Sequence, residues 1–259
     1  MLSINTVRQQ NPIVLNISNT VTQQRVADAI SFFGGSPIMF TDIEETKDLL
    51  SIAQALVINL GSVNEHSLSQ AIEAGQVANR LGIPVVVDPV AVAVTKVRRQ
   101  AFQQLSAAVN FTAIRGNAGE LAYLAEIDWH SQGIDAGQGD LSQLSLIAQK
   151  VAQRYHTFSV LTGPTDYISD GNIVQTVANG HPYFQTNVGS GDMLDGILGV
   201  ALAIENSLNS LSWATGIFGL AGELAGKETP SQPANFIPAV LNQLHQLDDV
   251  TIQKQVKLN

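Results

Sequence analysis

The chain has 259 residues, 45% hydrophobic and only 14% charged, which supplies a sizeable apolar core and argues against disorder. A formal charge of −9 and a pI near 4.9 provide no basic face to release counterions, which argues against nucleic acid or an anionic membrane as partner. With no cysteine, disulfides, thiolate catalysis and cysteine-ligated zinc are excluded.

In chain order, residues 1–14 carry Arg8, several glutamines and Pro12 in place of a secretory apolar segment, so a cytoplasmic protein is expected. Short β-rich runs recur at 13–17, 38–40, 56–59, 85–88, 113–114 and 160–162, separated by helical patterns. That rhythm predicts a mostly parallel sheet in one α/β domain covering 1–259. Between 60 and 83, Leu68, Ala71, Ile72, Ala74, Val77, Ala78 and Leu81 fall at helical spacing until Gly82 and Pro84 stop the pattern. Three glycines in 133–139 predict a flexible loop. Residues 166–177 form two strand-like runs around Asp170-Gly171, a type I′ turn signal, and predict a hairpin at a sheet edge. Two apolar stretches, 193–204 and 213–224, are interrupted by Asp195 and Glu223 and are too short to span a bilayer, so buried helices are expected. The tail after Lys227, with Pro230, Pro233 and Pro238, is expected to wrap the surface before a last amphipathic helix near 239–247.

The sharpest chemical signal is Asn187-Val188-Gly189-Ser190-Gly191-Asp192-Met193-Leu194, where glycines lead directly into an apolar helical run. Backbone N–H groups of Gly189, Ser190 and Gly191, with the positive end of the helix that follows, would make an anion hole beside Asp192. The same string also reads as a plain helix start capped by Ser190 or Asp192. A P-loop is excluded, because Gly226-Lys227 is followed by Glu228, and a third glycine is missing for a dinucleotide fingerprint.

Arg115-Gly116-Asn117-Ala118-Gly119-Glu120 follows an apolar run. Arg115 at a strand end is suited to fork onto phosphate oxygens and Glu120 to hold magnesium, although a surface pair and a capping box explain them as well. Asp88 closes the buried run Val85-Val86-Val87 at the strand end where open α/β sheets bind ligands; it is a candidate metal contact or a hydrogen-bonded turn residue. Thr162-Gly163 ends another strand where a nucleotide would approach, and a simple strand exit explains it too. The five histidines share no ligand spacing, and only His181 lies near the glycine loop.

Taken together these segments resemble the hydroxyethylthiazole kinase family over nearly the whole chain. The resemblance runs through Asn11-Pro12-Ile13-Val14-Leu15-Asn16-Ile17-Ser18-Asn19, Gly35-Ser36-Pro37-Ile38-Met39, Asn59-Leu60-Gly61, Val87-Asp88-Pro89-Val90, Arg115 to Glu120, Gly133-Ile134-Asp135-Ala136, Asn179-Gly180-His181-Pro182 and Gly189-Ser190-Gly191-Asp192. It implies a ribokinase-like three-layer α/β/α sandwich that uses ATP and magnesium to phosphorylate the primary hydroxyl of 4-methyl-5-(2-hydroxyethyl)thiazole. By position it implies Asp192 as catalytic residue, Arg115 and Thr162 as nucleotide contacts, and Met39, Gly189 and Asn19 on the substrate side. It also implies Asp88 with Glu120 as the acidic pair around magnesium, and a homotrimer.

The chain departs from the family where glycines are common, at Ala91 and Ala93, and where asparagines are common, at Gln24 and Asp28. The alternatives on the same fold are an ADP- or ATP-dependent dehydratase of hydrated nicotinamide nucleotides, which has a similar glycine loop, and a kinase for a related small alcohol; the N-terminal matches argue against the dehydratase. A ligand-binding regulator without turnover is a third reading, set against the joint presence of Asp192, Glu120 and Arg115.

Overall fold

The structure is a computed structural model that describes residues 2–40, 42–129 and 143–259. The loop expected at 133–139 and the family-like stretch 133–136 lie outside the described residues. After α1 (Ile4–Gln10) the chain enters β1 (Ile13–Ile17), then passes through α2 (Gln23–Phe33) to β2 (Ser36–Met39) and through α3 (Thr46–Ile52) to β3 (Ala55–Asn59). Next, α4 (Glu65–Leu81) leads to β4 (Val85–Asp88), α5 (Lys96–Ala108) to β5 (Ala113–Asn117), and α6 (Ala118–Leu124) with α7 (Leu144–Tyr155) to β6 (Phe158–Thr162). The strands β7 (Asp166–Ser169) and β8 (Val174–Val177) precede α8 (Tyr183–Thr186), α9 (Ser190–Ile204), α10 (Leu208–Glu228), α11 (Phe236–Gln246) and α12 (Asp249–Gln255).

Side-chain alternation along the strands builds two cores. Val14, Val57, Val86, Ala113 and Val160 face one layer with α2, α9, α10 and α11, while Leu15, Ile58, Val87, Ile114 and Leu161 face the other with α4, α5, α6 and α7. Between the layers lies an 8-stranded sheet in the order β2-β1-β3-β4-β5-β6-β7-β8. It is parallel from β2 to β6 and antiparallel through β7 and β8. This is the expected three-layer sandwich with an edge hairpin. Burial on both faces is why the strands read as continuous apolar runs.

The strand order reverses at β1: the chain steps outward to β2 and then returns to place β3 on the other side. The loops leaving β1 and β3 therefore diverge and open a crevice at their C-terminal ends, the usual ligand position in such sheets.

Two details differ from expectation. The hairpin does not turn on two residues: Asp170 Oδ1 accepts the N–H groups of Asn172 and Ile173 at 2.8 and 2.7 Å, and within this loop Gly171 alone has positive φ. A type I′ turn needs two positive φ values, and the Asp170 carboxylate instead stabilises a longer loop. At the other end, residues 230–235 are exposed as expected, but α11 is neither last nor superficial. Pro238 sits in its first turn, where a missing N–H costs no helical bond, and Phe236, Ile237, Val240 and Leu244 are buried.

A run of glycines on α10 lets other segments approach its backbone. A Cβ at Gly219 would overlap the carbonyl of Asn179, and one at Gly226 would overlap the His181 ring. His181 is thereby a packed residue: its ring contacts Tyr183 and Phe236, and its Nδ1 accepts the Tyr183 N–H at 3.2 Å.

Candidate active site

The crevice between the β1 and β3 loops is narrow and is lined by Ser18, Asn19, Thr22, Val26, Val57, Asn59, Asp192 and Asp195. Asp192 reaches it because α9 starts at a glycine. Gly189 caps the helix at φ 89, with the side chain of Thr22 standing where a Cβ would be. No side chain caps α9, so neither Ser190 nor Asp192 is spent on that task. The Asp192 carboxylate instead accepts three hydrogen bonds: Thr22 Oγ1 and Asn19 Nδ2 donate to Oδ2 at 2.5 and 2.8 Å, and Asn59 Nδ2 donates to Oδ1 at 3.1 Å. Asn59 Nδ2 also lies 3.3 Å from Asp88 Oδ2, while its oxygen accepts from Gly61 N–H at 2.8 Å and from Asn19 Nδ2 at 3.2 Å. Asn59 thus links the acid at the end of β4 to the acid on α9.

Arg115 enters the same place from β5. Its Nη1 donates to Asp88 Oδ2 at 3.0 Å and its Nη2 to Thr162 Oγ1 at 3.1 Å, a pairing made possible by the parallel register of β4, β5 and β6. Its Nε lies 3.9 Å from Asp195 Oδ1. The guanidinium rests against Gly191, where any Cβ would collide with it. Burial pushes the Asp88 carboxyl up to about 7, against the lowering effect of Arg115. Asp195 is also raised, by burial and by the neighbouring Asp88. Burial pulls Arg115 down, but the charges of Asp195 and Asp88 outweigh it and hold the guanidinium above its ordinary value.

Asp88, Asp192 and Asp195 each place an oxygen within 4.8 Å of the others'. Asp88 Oδ1 and both Asp195 oxygens are buried with no hydrogen bond from an N–H or hydroxyl donor, and the two carboxyl groups hydrogen-bond to each other when one holds a proton. Hard oxygen donors with unused lone pairs fit a hard divalent cation such as magnesium. Glu120 is outside this group. Its Oε1 accepts the Ala91 N–H at 2.7 Å and its Oε2 the Asn117 N–H at 2.9 Å, completing a capping box with Asn117.

The glycine loop offers fewer free donors than its sequence suggests. The N–H and Oγ of Ser190 both point at the Asn187 carbonyl, at 3.3 and 2.8 Å, so Gly191 and Asp192 provide the remaining first-turn N–H groups. Met39 ends β2 beside Asn16 of β1, partly buried at the same end of the sheet. Of the residues singled out in the sequence, Asn19, Asp88, Arg115, Thr162, Gly191 and Asp192 meet directly. Thr22, Asn59, Asp166 and Asp195 were not singled out. Asp195 had a readable signal, since it follows Asp192 by three positions and so shares its helix face. Asp166 fixes the turn after Thr162 by accepting the Gly163 N–H at 2.9 Å, and burial raises its carboxyl to about 7.

Residues 4–250 match the hydroxyethylthiazole kinase family. The chain belongs to that family. Among hydroxyethylthiazole kinase relatives, one from Latilactobacillus sakei is 40% identical over 97% of this chain and 94% of its own length. One from Lactiplantibacillus plantarum is 40% identical over 99% and 98%. The solved structure of the hydroxyethylthiazole kinase protein from Pyrococcus horikoshii superposes with a TM-score of 0.90 at 29% identity, covering 99% of this chain and 96% of that one. A pyridoxal kinase from Bacillus subtilis, at 15% identity and a TM-score of 0.60 over 82% of this chain and 92% of its own, shares the fold.

Proposed function

We propose that this chain transfers the γ-phosphoryl group of ATP to the primary hydroxyl of 4-methyl-5-(2-hydroxyethyl)thiazole, a step of thiamin salvage. Family membership supports the acceptor. The observation that carries the chemistry is the Asp192 carboxylate, held by Asn19, Thr22 and Asn59 beside the glycine loop and next to Arg115.

In a loose phosphoryl-transfer transition state the alcohol loses its proton late, so a well-placed carboxylate suffices as base. Asp192 takes that proton. The N–H groups of Gly191 and Asp192 stabilise the charge on the transferring group, while Arg115, aimed by Thr162, holds the nucleotide phosphates. Asn19, Met39 and Gly189 form the acceptor side. Magnesium, when bound, supplies charge neutralisation at the phosphate oxygens. Asp88 and Asp195 are the residues that fit it, whereas Glu120 serves by bracing the loops that carry Asp88 and Arg115.

A cytoplasmic homotrimer agrees with the family resemblance and with the apolar rim of the site, where Val21 and Val188 are 75% and 68% exposed. No helix among the described residues is long and apolar enough to cross a membrane. The dehydratase alternative has no structural observation in its favour.

The decisive experiment follows labelled phosphate from ATP into the thiazole alcohol by chromatography, with and without magnesium. Magnesium-dependent thiazole phosphate is expected. Transfer to other alcohols but not to the thiazole would remove the acceptor assignment and leave the phosphoryl chemistry standing.

A further inference from the structure

Arg98 stands in the first turn of α5, its N–H donating to the cap residue Thr95 Oγ1 at 3.2 Å. A cation there faces the positive end of the helix, which is unfavourable. Among the described residues it pairs with no carboxylate. Its partly buried guanidinium instead donates to three backbone carbonyls on two loops: Nη1 to Leu60 and, at 3.1 Å, to Val90, and Nη2 to Gly61. These loops leave β3 and β4, whose last residues are Asn59 and Asp88.

The Leu60 carbonyl and the Gly61 N–H belong to one planar trans peptide unit and so point in opposite directions. Arg98 holds the carbonyl end. The N–H end donates to Asn59 Oδ1 at 2.8 Å. With its oxygen engaged in this way, Asn59 turns Nδ2 toward Asp192 Oδ1 at 3.1 Å and Asp88 Oδ2 at 3.3 Å. The opposite orientation of the amide would set its oxygen against both acids. Gly61 is needed for the close approach, since a Cβ there would overlap Asn59 Oδ1 and Asn19 Cβ. A peptide next to glycine is also the freest to rotate, so something outside the crevice has to hold it. A charged donor on the carbonyl does so, and it polarises the peptide and strengthens the N–H on the far side.

We propose that Arg98 is a positioning residue for phosphoryl transfer: by gripping the Leu60–Gly61 peptide it fixes the Asn59 amide and, through that amide, the Asp192 carboxylate. Arg98 is not among the residues that line the crevice, and it acts from behind the two loops. The catalytic half of this role rests on the kinase reading above, whereas the hold on the peptide stands apart from it.

The test is a double-mutant cycle on the full chain, following steady-state transfer from ATP to the thiazole alcohol in wild type, Arg98→Met, Asn59→Ala and the double variant. Arg98→Lys keeps a cation but cannot fork across successive carbonyls, and it takes the place of Arg98→Met if the methionine variant does not fold. Arg98→Met is expected to lower kcat by roughly 10–100-fold and to leave the KM for ATP within about threefold of wild type. Added to Asn59→Ala, it should lower kcat by less than about twofold more, because the amide it orients is already gone. An arginine that only stiffens the loops would multiply the two losses. That result, or wild-type kcat in a folded variant, overturns the proposal. A crystal structure of the folded variant is expected to show the Leu60–Gly61 peptide rotated and the Asn59 amide released from Asp192, and an unmoved peptide overturns the proposal as well. Wild type that transfers no phosphate to the thiazole defeats the kinase reading, and the peptide geometry of the variant still decides what Arg98 holds.

Discussion

The backbone N–H of Ala91 donates to Glu120 Oε1 at 2.7 Å while Ala91 itself is held at φ 57, in the left-handed region. The other Glu120 oxygen holds Asn117 N–H, so one buried carboxylate ties the loop after Asp88 to the turn after Arg115. Alanine occupies a place where the family resemblance leads one to expect glycine, and Glu120 helps to impose the backbone shape that glycine would adopt freely.

Ala91→Gly removes a left-handed penalty of roughly 1–2 kcal/mol and adds back about 0.5–1 kcal/mol of chain entropy. A rise in Tm of about 1–3 °C is expected. Glu120→Ala strands two backbone donors and should cost about 2–4 kcal/mol, or a fall of roughly 5–15 °C. Both are read by thermal unfolding in EDTA without nucleotide, where a residue needed only for metal would leave Tm unchanged.

Asp192→Asn preserves size but removes the proton acceptor and sets an amide against three donors. Turnover should drop by roughly 10²–10⁴-fold with nucleotide affinity retained. Single-turnover phosphate transfer measures the first and calorimetry the second. Wild-type turnover in a folded variant would refute Asp192 as base, and parallel loss of folding and activity would make it a structural residue.

The two ends of the site should separate kinetically. Arg115→Ala is expected to raise the KM for ATP by about 10–100-fold, and it also leaves Asp88 and Asp195 without their cation, at a cost of about 3–5 kcal/mol in stability. Met39→Ala should instead raise the KM for the thiazole. Steady-state kinetics with each substrate varied in turn checks this, and an Arg115→Ala effect confined to the thiazole would reverse the placement of the phosphates.

Asp166 predicts a pH dependence of stability. Its carboxyl is raised from the ordinary 3.8 to about 7 by burial, so the folded chain holds a proton that the unfolded chain releases. The associated stability is complete below pH ~4, is lost as the pH rises toward ~7, and is constant beyond, a span of about 2–4 kcal/mol. Asp166→Asn cannot titrate, so urea unfolding at pH 4 and 7 should show a smaller drop in the variant than in wild type. Equal drops would assign the pH effect elsewhere.

The fold was readable wherever a local pattern carried its own meaning. Strands 13–17 and 85–88 appear at their expected limits because residues buried on both faces leave a mostly apolar run, broken only by Asn16 in the first and closed by Asp88 in the second. The hairpin loop departs from the expected turn because the Asp170 side chain, and not the Asp-Gly backbone preference, decides where the N–H groups go. In the site, Asp88 stands at a strand end and Asp192 behind a glycine, positions that signal chemistry before any contact is known, whereas Arg115, expected at a strand end, is the middle residue of β5, which runs on to Asn117. Thr22 and Asn59 give no such sign. They acquire a role through residues more than a hundred positions away, and Asp195 read only as an interruption in an apolar helix.

Replacing helical glycines with alanine is a common route to heat-resistant variants, since each removes backbone freedom from the unfolded chain. On α10 that recipe reverses. At Gly219 the added methyl would press on the Asn179 carbonyl, and at Gly226 on His181, prising away the segment that delivers the chain to α8 and the glycine loop. Gly180 has open space around it and an ordinary φ, so the same change there is harmless. Engineers seeking a hardier enzyme should therefore treat α10 as a fixed rail and look for gains in the loop that runs along it.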